Sequence, residues 1–385
     1  MDAALPALRA KLPDVGSTAC TVMTRLAAEY GAINLAQGFP DFDCDPALVA
    51  AVAAHMKRGN NQYAPMQGVL ALREALSGQI EALHGARYDP ATEVTITSGA
   101  TEALFCAISA VVHPGDEVVL VEPCYDSYVP VVRLNGGLPV FVTLRYPDYR
   151  LDWDEVRRAL SPRTRLLILN TPHNPTGQVL SAEDLERLAA LLDGTDVVVL
   201  SDEVFEHVVF DGHRHESVCR LPDLAARSCV VSSFGKTYHT TGWKIGYLAA
   251  PAALSAEVRR IHQCVTFASH TPTQLAYAEI VRSRAGLEGL SGFYQQKRDR
   301  LLTLLGGSRW RPIPCHGTYF QLLDYSALSK AADRDFALRL LREHLVASIP
   351  TSAFLYASDA PPVLRVCFAK TDDTIEKAAE RLRRA

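Results

Sequence analysis

The chain has 385 residues, 48% of them hydrophobic and 21% charged, which excludes a disordered protein and gives room for two or three structural units around a sizeable core. Its 39 basic and 43 acidic residues leave a net charge of -4, without the basic stripe that neutralises nucleic-acid phosphates or anionic lipid, so neither nucleic acid nor a membrane is an expected partner. No apolar run approaches the roughly 18 residues that cross a bilayer, and the opening MDAALPALRAKLPD lacks the apolar core of a signal peptide, so a cytoplasmic location is expected.

Residues 1–40, with Pro6, Pro13, Gly38 and Pro40, read as an arm that packs against a distant part of the chain. Residues 41–275 read as one large α/β domain. Its apolar runs EVTITSG, DEVVLVEP, LPVFVTL, RLLILNTP, DVVVLSDEV, CVVSSFG and KIGYLAA are near-continuous in Val, Ile and Leu, as a mostly parallel sheet covered on both faces requires. Helix-length stretches separate them: TEALFCAISAVV, and SAEDLERLAALLDG, which opens with Ser181 and Asp184 in capping-box spacing and closes at Gly194. Near residue 275 the rhythm changes. A polar helix candidate, GLEGLSGFYQQKRDRLLTLLG, leads to GTYFQLLDY and VLRVCFAK, which predicts a smaller α+β domain over 276–385.

The nine cysteines include no C-x-x-C pair, so they read as reduced core thiols rather than a disulfide framework or a zinc site. His213 and His215 in HRHES suggest a metal site, but H-E-x-x-H fails because Cys219 stands where the second histidine belongs. After FDG these residues read as a solvated turn, and no metal is expected.

Ligands of open α/β sheets bind beyond the carboxyl ends of the strands. There the chain places Asn174, Asp202, Ser233, Lys236 and the small-residue turn SGATEAL. Lys236 has three readings. A P-loop needs a glycine at position 230, where the chain has Val230. A Ser-x-x-Lys acyltransferase would use Ser233 as nucleophile, but its companion S-D-N and K-T-G motifs are absent. The third is a lysine that holds an aldehyde covalently, with a second lysine, Lys244, close behind. Singly, each of these residues reads as a turn, a cap or a solvated end; together they specify a cofactor.

INLAQGFPDF, NQYAPMQG, SGATEAL, EPCYDSY, NTPHNPTG, SDEV, SSFGKTYHTTGWKIGY, GTYF and LRVCFAK follow one another along most of the chain. In this the sequence resembles the class I aminotransferases of the fold type I pyridoxal-phosphate group. Within it the chain looks most like the bacterial methionine aminotransferases, and next like the kynurenine and glutamine transaminases. The resemblance implies an enzyme that moves the amino group of a methionine-like or aromatic L-amino acid to a 2-oxo acid. It also implies a homodimer with shared active sites.

By the same resemblance Lys236 forms the imine with pyridoxal 5'-phosphate and shuttles the proton. Asp202 pairs with the pyridine nitrogen, Asn174 donates to the ring hydroxyl oxygen, and Tyr125 stacks on the ring. Ala100 and Thr101 at a helix N-terminus, with Ser233 and Lys244, receive the phosphate, and Tyr63 reaches it from the neighbouring subunit. Lys244 stands where many relatives use arginine, which keeps the charge and gives up the planar fork. Arg365 grips the substrate α-carboxylate, assisted by the backbone of Gly38. Phe205 departs from the pattern: most relatives carry there a tyrosine that donates to the ring oxygen, so its absence bears on the protonation of the imine. A β-eliminating lyase could use the same carbanion. A pyridoxal-dependent transcription regulator would need a helix-turn-helix domain and a basic face, for which this chain has no room.

Overall fold

The computed structural model describes residues 9–284 and 286–385; Pro6 and the rest of the first eight residues of the expected arm lie outside the described residues. Seven strands form the central sheet, in the order Val94–Thr97, Gly246–Ala249, Ser228–Ser233, Val198–Asp202, Thr164–Asn170, Glu117–Glu122 and Leu138–Thr143. Only Gly246–Ala249 runs against its neighbours; the other strands are parallel to one another.

Successive residues of a strand face opposite sides of the sheet, so a strand covered on both sides feeds two cores. Val119, Val121, Leu167 and Leu169 enter one core, while Val118, Leu120, Leu166 and Ile168 enter the other. The helix Gly99–Val111 fills the second side with Ala103, Leu104 and Ala107. On the first side lies Ala182–Leu192, whose N-terminus carries the predicted capping box between Ser181 and Asp184. Gly194 follows its C-cap residue Asp193 with φ +69°.

A third core gathers the C-terminal part of the chain. Four short strands form its sheet, Ile349–Pro350, Val363–Cys367, Phe320–Asp324 and Arg311–Pro312, packed by Leu290–Leu305, Asp333–His344 and Asp372–Arg383. Met23, Ala27, Leu35 and Ala36 from near the N-terminus are buried in this same core, and Ile33–Asn34 pairs in parallel with Val346–Ala347. Phe205, Val208 and Phe210, just past the strand that ends in Asp202, are buried there too. Elements from both ends of the chain thus meet over the carboxyl edge of the central sheet.

The nine cysteines are free thiols, six of them buried. The predicted solvated turn at 213–217 holds for His213, which is exposed, and fails for His215. His215 is buried with Nε2 2.7 Å from the Glu203 carboxylate, because a carboxylate at a buried strand end needs a partner.

Gly246 lets the reverse strand pass the start of the helix Gly99–Val111. A Cβ there would lie 2.7 Å from the backbone of Ala100, Gly99 and Ser232, none of which can rotate away. Gly246→Ala should therefore lower stability by about 1–3 kcal/mol and loosen the helix start beside it, read as a drop in the urea midpoint at unchanged m-value.

Candidate active site

At that carboxyl edge lies a cavity of about 430 Å³. Its walls contain Gly38, Ala100, Thr101, Tyr125, Asn174, Asp202, Phe205, Ser233, Lys236 and Lys244, which the sequence places far apart and the strand ends bring together. Arg365 joins them from the smaller sheet: its guanidinium donates to Asn174 Oδ1 at 2.8 Å. Tyr63 is not brought in. Its ring stands 86% exposed at the surface, edge-on to Phe267 at 5.6 Å.

Asp202 ends its strand buried at 4% exposure. Tyr128 Oη donates to its Oδ2 at 2.6 Å and the Val204 amide to its Oδ1 at 3.2 Å. Burial pushes this carboxyl up to about 6, against those two bonds and the nearby Lys236, which pull it down. Lys236 lies in the short helix Phe234–Thr237 directly after the strand Ser228–Ser233. Burial lowers it to about 8, helped by Arg365 and Lys244 and opposed by Asp202. An amine so placed is nucleophilic near neutral pH.

Asn170 fixes the 170–174 loop by donating from Nδ2 to the Asp202 carbonyl at 2.8 Å and accepting the Asn174 amide on Oδ1 at 2.7 Å. Because Asn174 Oδ1 accepts from Arg365, its Nδ2 donors are left for the cavity. Arg365 is 3% exposed and lies between Phe320 and Phe354, 4.0 and 4.7 Å from their ring centroids. Its second amino group donates to the Ala36 carbonyl at 3.1 Å, while its buried Nε has no protein partner.

An anion fits where the cavity meets the start of the helix Gly99–Val111. The helix Gly99–Val111 begins without a side-chain cap from Ser98, so its first amide groups remain available. Gly99, at φ +76°, leaves room for Lys244, whose Cε and Nζ would lie 3.3 Å from a Cβ there. Lys244 Nζ stands 3.4 Å from Thr101 Oγ1. Open amides, a hydroxyl and an ammonium around one hollow suit a phosphate dianion. The same cavity holds the acid Asp202 and the buried amine of Lys236. Pyridoxal phosphate carries matching groups: a phosphate, a ring nitrogen and an aldehyde.

Sequence reasoning missed three of these residues. Asn170 and Tyr128 fix Asn174 and Asp202, and Tyr319 lies 2.8 Å from Lys236 Nζ. Each stands in a quoted motif, but only the three-dimensional pairing singles it out.

The buried amine generates a pH prediction. Its folded-state value near 8, below the ordinary 10.5, means that the free amine appears as pH rises through about 8. Combination of the cofactor-free chain with pyridoxal phosphate should accelerate through that range, followed by stopped-flow absorbance; a midpoint above 10 would contradict it. The same depression makes the ammonium a cost to folding that is fully present below about 8 and relieved by 10.5. Lys236→Met should therefore stabilise the cofactor-free chain at neutral pH by about 1–3 kcal/mol.

Residues 30–382 match the family model of class I and II aminotransferases. A methionine aminotransferase of Escherichia coli is 49% identical over 376 residues, covering 97% of each chain. The crystal structure of the E. coli protein YbdL, described as having a methionine aminotransferase function, superposes with a TM-score of 0.97 at 48% identity, covering 99% of this chain and all of that one. A probable N-succinyldiaminopimelate aminotransferase of Mycobacterium tuberculosis is 40% identical over 97% of both chains. The human kynurenine–oxoglutarate transaminase 1 is 33% identical over 94% of each. The chain belongs to the class I and II aminotransferase family, and pyridoxal phosphate is its cofactor.

Proposed function

We propose that the protein moves the amino group of a methionine-like or aromatic L-amino acid to a 2-oxo acid. The observation that carries this reading is the distribution of charge. Lys236 and Lys244 are the only cations among the described residues in the walls of the cavity, and Arg365 stands directly behind the wall residue Asn174, bonded to its Oδ1 at 2.8 Å. With Lys244 beside the phosphate hollow and Lys236 reserved for chemistry, one fork remains for one α-carboxylate. Phe39, Leu104, Val204 and Phe205 line the same space, which favours an apolar or sulfur-bearing side chain over a second carboxylate.

When bound, pyridoxal phosphate supplies the aldehyde that accepts the amino group and the ring that takes up the electron pair of the substrate α-carbon. Within this reading Ala100, Thr101, Ser233 and Lys244 hold the phosphate, Tyr125 covers the ring and the Asn174 amide donates to its hydroxyl oxygen. Asp202 holds a proton at the ring nitrogen, a task supported by the Tyr128 bond, which favours its ionised form. Arg365 orients the substrate so that the α-proton faces the Lys236 amine, which removes it.

The reading extends to assembly and location. Tyr63, exposed on this chain beside Phe267, is proposed to serve the phosphate of a second copy in a homodimer. A cytoplasmic location agrees with nine free thiols; among the described residues no helix is long and apolar enough to cross a membrane. The division into an arm over 1–40, a large domain over 41–275 and a small domain over 276–385 is also proposed, supported by the pairing of Ile33–Asn34 with Val346–Ala347.

A panel of amino acids offered to the purified holoenzyme tests the substrate class. Methionine and aromatic amino acids should outcompete aspartate as donors; a preference for aspartate would overturn the reading. Arg365→Lys should raise KM for the donor by about 10- to 100-fold, since one charged hydrogen bond is worth about 1.5–3 kcal/mol.

A further inference from the structure

Tyr319 is completely buried, and its hydroxyl lies 2.8 Å from Lys236 Nζ and 2.6 Å from the Gly38 carbonyl oxygen. Lys236 Nζ is itself 3.2 Å from that carbonyl. The three groups close a triangle. A carbonyl only accepts, so the single Tyr319 proton goes to Gly38, and Lys236 must be the donor in its bond to the phenol oxygen. The ring is held by aromatic neighbours on several sides: Phe205 at 4.8 Å edge-on, Phe320 at 5.0 Å and Tyr294 at 5.7 Å. The hydroxyl therefore has little freedom to turn elsewhere.

A neutral amine has two N–H groups and one lone pair. With one N–H on Tyr319 and the other on Gly38, tetrahedral geometry aims the lone pair away from both and toward the rest of the cavity. We propose that Tyr319 is the positioning residue of Lys236: its hydroxyl, anchored on Gly38, docks the amine whenever the lysine nitrogen is not covalently engaged and directs the lone pair at the substrate α-carbon. This rests on Lys236 being the base of the proposed reaction. It also gives the Phe205 position a context. Phe205 brings no hydroxyl to the lysine, and its ring packs against the tyrosine that does.

Tyr319→Phe removes the hydroxyl and keeps the ring. An ammonium loses an acceptor, so the midpoint at which Lys236 deprotonates in the cofactor-free full chain should fall by about one pH unit, read by competitive acetylation and peptide mass spectrometry. In the holoenzyme kcat should fall about 10- to 100-fold with KM within twofold, because Tyr319 orients the base and not the substrate. Should that variant misfold, 4-fluorophenylalanine at position 319 fills the hydroxyl's place with a fluorine that accepts hydrogen bonds only weakly and cannot ionise, and the midpoint should move in the same direction. A midpoint unmoved in the folded variants, or a loss confined to KM, overturns the proposal. The acetylation midpoint is independent of the amino donor, so a wrong substrate class would leave this result standing.

Discussion

Everything at the carboxyl edge of the sheet answers to one constraint, the burial of a carboxylic acid and an amine in the same cavity. Low dielectric disfavours the charged form of each, which raises Asp202 to about 6 and lowers Lys236 to about 8. These are the directions that destabilise a fold and equip a site. Tyr128, the Val204 amide and the Tyr319–Gly38 pair hold the two groups in place. The parallel strands supply the rigidity, because the strand ends that carry Asn170, Asp202 and Ser233 lie on adjacent strands of one sheet.

A second buried pair supports the anion end. Glu102, in the first turn of the helix Gly99–Val111, accepts the backbone amide of Ser98 and lies 2.6 Å from His262 Nδ1. His262 Nε2 lies 2.8 Å from the Met66 carbonyl, which only accepts, so Nε2 carries a proton and Nδ1 faces the Glu102 carboxyl group. Its proton affinity is raised, since Glu102 and Met66 outweigh the opposing effect of burial. The histidine gives the buried Glu102 carboxyl group a partner at the helix start that faces an incoming phosphate.

Much of this was legible in the sequence, for physical reasons. Strands covered on both faces must be apolar throughout, so the seven runs and their order along the chain could be read directly. Polar residues immediately after such runs stand out, which exposed Asn174, Asp202, Ser233 and Lys236. Tyr319, Tyr128 and Asn170 stayed hidden because each acts through a residue distant in sequence: 83 positions separate Tyr319 from Lys236 and 74 separate Tyr128 from Asp202. His215 was misread because its surroundings in sequence are polar, while its partner Glu203 comes from a buried strand end. Tyr63 is a different case, since it stands exposed at the surface beside Phe267 and away from the cavity.

The central claim is that, of the two lysines in the cavity, Lys236 bonds covalently to the cofactor and Lys244 serves the phosphate. Reduction of the holoenzyme with borohydride, followed by peptide mass spectrometry, tests this most directly. The account predicts one pyridoxyl group per chain, on the peptide containing Lys236, with Lys244 unmodified. A label on Lys244, or a cofactor released intact after reduction, would contradict it.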